Sequence, residues 1–421
     1  MLFTVNSKPV SNEYYSTNKL AHTMDKSTAL SSTAPVCDVD FYSDTFVRDP
    51  VAAYHEMLAL GPVVWLPKNG LHAICGFTAL TTSLRNHQCF RSGMGVSINE
   101  DVNKMLIGST LHSDPPQHDA TRAITFSPLT PKALENVRQR VEEHAELIAQ
   151  NMVEQGAFDA ARELAPYLPL TVVRDLVGLG DDGKANMLEW GAATFELMGD
   201  PRERRGAAVE NLKKLRAFLE NPETLRALNA DGWASRATKL GIESGMEPAR
   251  AAELMRDYIA PSLDTTISVI GYAIMLFAQY PDQWTKLRND RSLIRNAIEE
   301  IVRLNTPIKA FSRYLAETVD IAGHNLPEGS RVLMVFGAAN RDRDRFPDPD
   351  RFDIERNVRG HVGFGHGVHA CLGMHLARLE ITSLFNALAD RVVRFEPNGP
   401  VVSSVNSTIH SLASVPVKVV V

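Results

Sequence analysis

The chain has 421 residues, 44% of them hydrophobic and 22% charged, an ordinary globular composition. Its 44 basic and 50 acidic residues leave a net charge of -6, which argues against nucleic acid as a partner. The four cysteines, Cys37, Cys75, Cys89 and Cys371, include no CxxC pair, so neither a disulfide framework nor a structural zinc site is expected, and a reducing cytoplasm fits best.

Residues 1–37 are rich in Ser, Thr and Asn and read as a flexible extension without the apolar run of a signal peptide or membrane anchor; Met24 is an alternative start. "VVWLPKNGLHAICG" places two β-rich runs around a Lys-Asn-Gly turn and predicts a hairpin. The helical pattern that opens at Pro131 closes at Gly156. Further helical periods run through "MEPARAAELMRDYIAPSLDTTISVIGYAIMLFAQYPDQW" and "RSLIRNAIEEIVRLNTP", and Pro261 inside the first should kink or open it. Strand character returns in "VDIAGHNLPEGSRVLMVFGAANRD". It is followed by "RDRDRFPDPDRFDIERN", charged, proline-broken and without a period. A long amphipathic helix follows Cys371, and no GxGxxG or GK[ST] phosphate loop occurs.

"FGHGVHACLG" (364–373) sets one thiol where a glycine-rich loop enters that last helix. Free N–H groups and the positive dipole end at a helix N-terminus favour thiolate over thiol. Gly365, Gly367 and Gly373 let the backbone come close to whatever the sulfur binds. A shielded single thiolate suits an axial haem ligand, and a buried structural cysteine is the plain alternative.

Phe364, Gly365, Gly367, His369, Cys371 and Gly373 fill every fixed position of Phe-Gly-x-Gly-x-His-x-Cys-x-Gly, and here the chain resembles the cytochrome P-450 monooxygenases. Glu300 and Arg303 match the family's Glu-x-x-Arg, "AANRD" and "RFPDPDRFD" its meander, and "HDATR" its His-x-x-x-Arg. The resemblance covers nearly the whole chain from residue 38. It implies a mainly α fold with small β-sheets (α+β), a single domain over 38–421, and heme b (iron protoporphyrin IX) with Cys371 as axial ligand. Phe364 belongs to the same haem-binding loop. Buried propionates need cations and donors, and by resemblance these are His118, Arg122, Arg313 and His369.

The family also places an acid–alcohol pair on the helix that crosses the haem, matched here by Asp264 and Thr265. Activating dioxygen needs two protons; a hydroxyl orders water at the oxygen while a carboxylate relays protons from solvent. Pro261 and Ser262 depart from the usual Ala/Gly-Gly, which bears on coupling and leaves the reaction class as it is.

"MRDYIAPSLDTT" and "TPIKAFSR" are most similar to bacterial members that oxidise small para-substituted aromatics, by alkyl hydroxylation or oxidative O-demethylation. Phe195, Phe311, Met198 and Met94 are expected to line an aromatic slot, with ordinary core packing as the alternative. Asp257 stands where a serine is expected and would favour a phenol over a benzoate, unless Arg256 neutralises it. With no fused reductase, the resemblance implies an iron–sulfur ferredoxin served by an NAD(P)H-dependent ferredoxin reductase. The ferredoxin would dock on Arg341, Arg343, Arg345, Arg359 and Arg378. The reading is a monooxygenase acting on a small aromatic substrate with O2, and it involves neither nucleic acid nor membrane. The alternatives are a peroxide-driven peroxygenase and a haem-binding sensor without turnover.

Overall fold

The structure is a computed structural model and describes residues 33–421; residues 1–32, most of the expected extension, lie outside it. Packing is already established just before residue 38. Ala34 and Cys37 are buried, and the Cys37 N–H donates to the Trp65 carbonyl at 2.9 Å.

The expected hairpin forms from Val63–Leu66 and Leu71–Ile74, turning at Lys68-Asn69-Gly70 with Gly70 at φ +64. Leu71–Ile74 pairs in parallel with Arg331–Met334, which pairs antiparallel with Phe311–Leu315, and that strand pairs with Phe90–Arg91. Alternate side chains of one strand share a face, so Phe311 and Arg313 can both reach the cavity beside the sheet.

The helix Pro131–Gln155 has the predicted ends: the Thr130 hydroxyl accepts from the Ala133 N–H at 3.2 Å, Pro131 takes the first turn, and Gly156 closes it at φ +73. Its stripe Leu134, Val141, Ala145, Ile148 and Met152 is buried, and it packs on the helix Met374–Arg391 that follows Cys371.

The long apolar segment does break at proline. Helical turns over Pro248–Ile259 give way to an irregular stretch at 260–263, and a straight helix resumes over Asp264–Gln279. Pro248–Gln279 is long and apolar enough in composition to cross a membrane, yet 61% of its most apolar window is buried inside this fold.

Glu300 and Arg303, on the helix Ile294–Asn305, are fully buried and bind bidentately at 2.7 and 2.9 Å. Both reach into the meander. Arg303 donates to the Asn340 carbonyl at 2.8 Å, and Glu300 accepts from Arg356 Nε at 3.0 Å and from the Asp353 N–H at 3.3 Å. A segment with no regular hydrogen-bonding of its own is thus held by a buried ion cluster. The cavity lies between the broken helix and the glycine-rich loop.

Candidate active site

The cavity encloses about 1720 Å³ of empty space, its mouth included. One wall is the loop from Gly363 to Gly373, with Cys371 on it. The opened stretch of the broken helix also lines the cavity, represented by Pro261, Ser262, Thr265 and Thr266.

Cys371 is the only one of the four cysteines on this cavity. Its N–H donates to the Phe364 carbonyl at 2.7 Å, which closes the loop, while Gly365 and Gly367 both sit at φ +71. A Cβ on Gly367 would lie 2.5 Å from the Leu84 carbonyl oxygen, so this turn can be made only by glycine. Burial raises the Cys371 thiol pKa. The N–H groups of Gly373 and Met374 and the charges of Arg122 and Arg378 act in the opposite direction. Phe364 lines the cavity beneath the Arg378 guanidinium, 4.8 Å from its ring centre.

His118, Arg122, Arg313 and His369 come together. The two imidazoles stand 4.5 Å apart in edge-to-face contact, and the Nε2 of each is buried without a protein partner. Arg122 donates to the Ala370 carbonyl at 2.7 Å, and Arg313 to the Ser312 carbonyl at 2.8 Å. Neither guanidinium forms an ion pair among the described residues. Burial holds His369 neutral, down at about 2. The Asp119 carboxylate takes the Nδ1 side of His118 at 2.9 Å. Buried ring nitrogens without protein partners beside unmatched cations suit an anionic group, and haem carboxylates fit that requirement.

Asp264 and Thr265 occupy different positions. The Thr265 hydroxyl donates to the Pro261 carbonyl at 3.2 Å and borders the cavity. The Asp264 carboxyl does not; it lies behind the helix against Gly191, where an added Cβ would be 3.1 Å from Oδ2. Oδ2 has no partner, and burial pushes the group up to about 7.

Of the expected substrate contacts, Phe195, Met198, Phe311, Arg256 and Asp257 line the cavity, and Met94 does not. Met94 is 50% exposed: Gly95 turns the chain at φ +92, and Arg331 Nη2 donates to the Met94 carbonyl, leaving its side chain in solvent. Arg256 does not neutralise Asp257 by direct contact; it meets Glu253 at 2.6 Å and donates to the Met105 carbonyl at 3.2 Å. Both Asp257 oxygens accept from the Thr110 N–H, at 3.1 and 3.2 Å. Burial raises Asp257 to about 6, against the opposing pull of that N–H, Arg256 and Arg250.

Three of the expected surface cations are not free. Arg345 is half-buried on the Phe77 and Phe346 rings, 5.4 and 5.0 Å from their centres, and donates to the Arg359 carbonyl. Arg341 is buried on Asp350 at 3.1 Å and the Leu304 carbonyl, and Arg378 binds Glu299 at 2.6 and 3.0 Å. Arg343 and Arg359 are exposed. Sequence reasoning also missed two cavity residues. His112 has a buried, unpartnered Nε2, and Glu380 has two unpartnered oxygens and is raised by burial to about 8. Glu380 sits among apolar neighbours in "LEITSLF", a signal that could have marked a buried acid.

Residues 235–396 match the family model described as Cytochrome P450. The chain is 33% identical over 391 residues to cytochrome p450 CYP199A2 of Rhodopseudomonas palustris, covering 91% of this chain and 94% of that protein. It is 31% identical to 6-deoxyerythronolide B hydroxylase of Saccharopolyspora erythraea, covering 84% and 91%. A Mycobacterium marinum structure, cytochrome P450 CYP268A2 in complex with pseudoionone, shares the fold at a TM-score of 0.81 with 24% identity, over 91% of this chain and 99% of that one. A half-buried thiol on a cavity edged by unmatched cations, and a whole-length likeness of this strength, have one common reading: the chain belongs to the cytochrome P450 family, whose members are monooxygenases holding iron protoporphyrin IX through a cysteine thiolate.

Proposed function

We propose that this P450 inserts one oxygen atom into a small, para-substituted aromatic substrate, with Cys371 as the residue whose thiolate would hold the haem iron. The other oxygen atom leaves as water, taking up two electrons and two protons. When bound, the haem supplies the redox chemistry that activates dioxygen. The observation that carries the reading is that one thiol, Cys371, and the Thr265 hydroxyl line a single cavity. His118, Arg122, Arg313 and His369 are proposed to hold the haem carboxylates. Phe195 and Phe311 supply flat walls for a ring, in keeping with the resemblance of "MRDYIAPSLDTT" and "TPIKAFSR" to the branch that oxidises such compounds. Electrons are proposed to come from an acidic iron–sulfur ferredoxin and its NAD(P)H-dependent reductase, with Arg343 and Arg359 left to meet it and the cytoplasm as the compartment.

In this reading Thr265 orders water over the cavity, while Asp264, raised to about 7, takes and gives up protons behind it. Positioned proton transfer contributes about 10²–10⁴-fold. Thr265→Ala should therefore keep substrate binding but lower product per NADH by about tenfold, the balance appearing as peroxide; Asp264→Asn should slow oxygen consumption itself. Parent coupling in Thr265→Ala removes its role. A peroxygenase would dispense with this pair, so the pair favours the monooxygenase.

Asp257 sets the substrate test. Above pH 6 it is ionised, accepts from a phenol O–H and repels a benzoate; below pH 6 it is protonated and the repulsion goes. A hydrogen bond to a charged group is worth about 1.5–3 kcal/mol and tenfold in affinity about 1.4 kcal/mol. Spin-state titrations at pH 8 should favour a 4-alkylphenol over a 4-alkoxybenzoate by at least about tenfold. The gap should narrow at pH 5 and in Asp257→Ser. Tighter benzoate binding by the parent at pH 8 contradicts the assignment.

A further inference from the structure

We propose that His112 is a third imidazole donor to the haem carboxylates, working with His118 and His369 from a different segment of the chain. The proposal rests on the reading that the haem occupies this cavity on its Cys371 side.

His112 is 4% exposed and belongs to the turn that follows the helix Glu100–Leu106. Its ring orientation is fixed by Ser109. The Ser109 oxygen accepts from the His112 backbone N–H at 3.4 Å, and the same hydroxyl stands 2.8 Å from Nδ1. The serine's own hydrogen is therefore free to go to Nδ1, which leaves the ring proton on Nε2. That Nε2 is buried, has no partner in the protein, and belongs to a residue lining the cavity. A buried N–H without an acceptor is costly, so this group needs an oxygen from whatever fills the cavity.

The surroundings select an anionic oxygen. Burial, with Arg256, Arg313 and Arg331 adding to it, holds the imidazole near 3 and so neutral. Arg256 is matched by Glu253, and Arg331 by Glu100 at 3.0 Å, but Arg313 has no carboxylate partner among the described residues. His112 and His369 lie close enough to influence one another's charge. His118 spends its Nδ1 side on Asp119 at 2.9 Å, so the corner carries three buried imidazole Nε2 atoms without protein partners, that of His112 bearing the ring proton, beside two unmatched guanidiniums. A haem brings two carboxylates with four oxygens, an acceptor set of the right size and sign.

The test is haem transfer from the holoprotein to excess apomyoglobin. His112→Leu should release haem about tenfold faster than the parent, the factor for one hydrogen bond to a charged group. His112→Gln, whose amide N–H has comparable reach, should recover most of the difference. If the leucine variant does not fold, His112→Asn, polar but shorter, should also release faster. Parent release rates in the Leu or Asn variant overturn the proposal. So does unchanged release together with a tenfold weaker 4-alkoxybenzoate, because the donor would then serve substrate. The spectrum of the same reduced preparations under carbon monoxide reports on the thiolate separately, so an error about Cys371 would show there and not in the release rate.

Discussion

Cys371→Ser is expected to reduce product formation to background, a loss beyond the roughly 10–100-fold that outer-shell partners of a metal ligand command. A hydroxyl at this position is a far weaker donor to iron than a thiolate, and the electron density that a thiolate pushes toward oxygen goes with it. The fold should survive, because the loop is closed by backbone: the residue 371 N–H still meets the Phe364 carbonyl, and the Met374–Arg391 helix still packs on Pro131–Gln155. The other cysteines provide the control. Cys37 and Cys75 are buried in the cluster beneath the N-terminal sheet, Cys89 in its neighbour, and none of the three reaches the cavity. Burial, helped by Cys37 and Asp342 and partly offset by backbone N–H groups, pushes Cys75 up to about 12, and its thiol donates to the Gly61 carbonyl at 3.1 Å. Each of the three, replaced by alanine, should retain turnover. Activity in Cys371→Ser, or its loss in all four variants, contradicts the assignment.

The largest structural effect is expected from Glu300→Gln. Two guanidiniums converge on this carboxylate, and Arg303 has no exposure. Removing one partner of a buried ion pair leaves an uncompensated charge and costs about 3–5 kcal/mol. At about 2 °C per kcal/mol for a large domain, the thermal midpoint should fall by roughly 6–10 °C. Haem retention should fall with it. The meander depends on this cluster through Asp353, Arg356 and Asn340, and Asn340 in turn holds the Val362 N–H at 2.8 Å, two residues before Phe364. Loosening the meander therefore loosens the cysteine loop. An unchanged midpoint would show that the remaining contacts of Arg303, to the Asn340 carbonyl and the Phe346 ring, carry the segment alone.

Features set by local chemistry were legible in the sequence. The hairpin followed from Lys68-Asn69-Gly70, the ends of the Pro131–Gln155 helix from Pro131 and Gly156, and the opening of the long helix from Pro261. The cysteine loop was legible because its glycines and thiol lie within ten residues. What failed depended on distant partners. Met94 was assigned to the cavity from its place in a loop, but the loop's path is decided by Gly95 and by Arg331, more than 230 residues away. Arg341 and Arg378 look like surface charges in sequence, and the fold commits both to carboxylates. His112 lies in an irregular turn with no period to reveal its face, and long-range packing alone makes it buried. The Asp264–Thr265 pair is named by the family resemblance alone, yet adjacent residues on a helix point in different directions, and only the structure separates a hydroxyl at the cavity from a carboxyl behind it.

If a thiolate from the 364–373 loop holds the haem iron, the visible spectrum of the reduced parent protein under carbon monoxide should show the strongly red-shifted Soret band of thiolate ligation. That band should be present in the parent and in the alanine variants of Cys37, Cys75 and Cys89, and absent in Cys371→Ser. A parent spectrum with the Soret band at the position of histidine-ligated haem, or a red-shifted band that persists in Cys371→Ser, would contradict it.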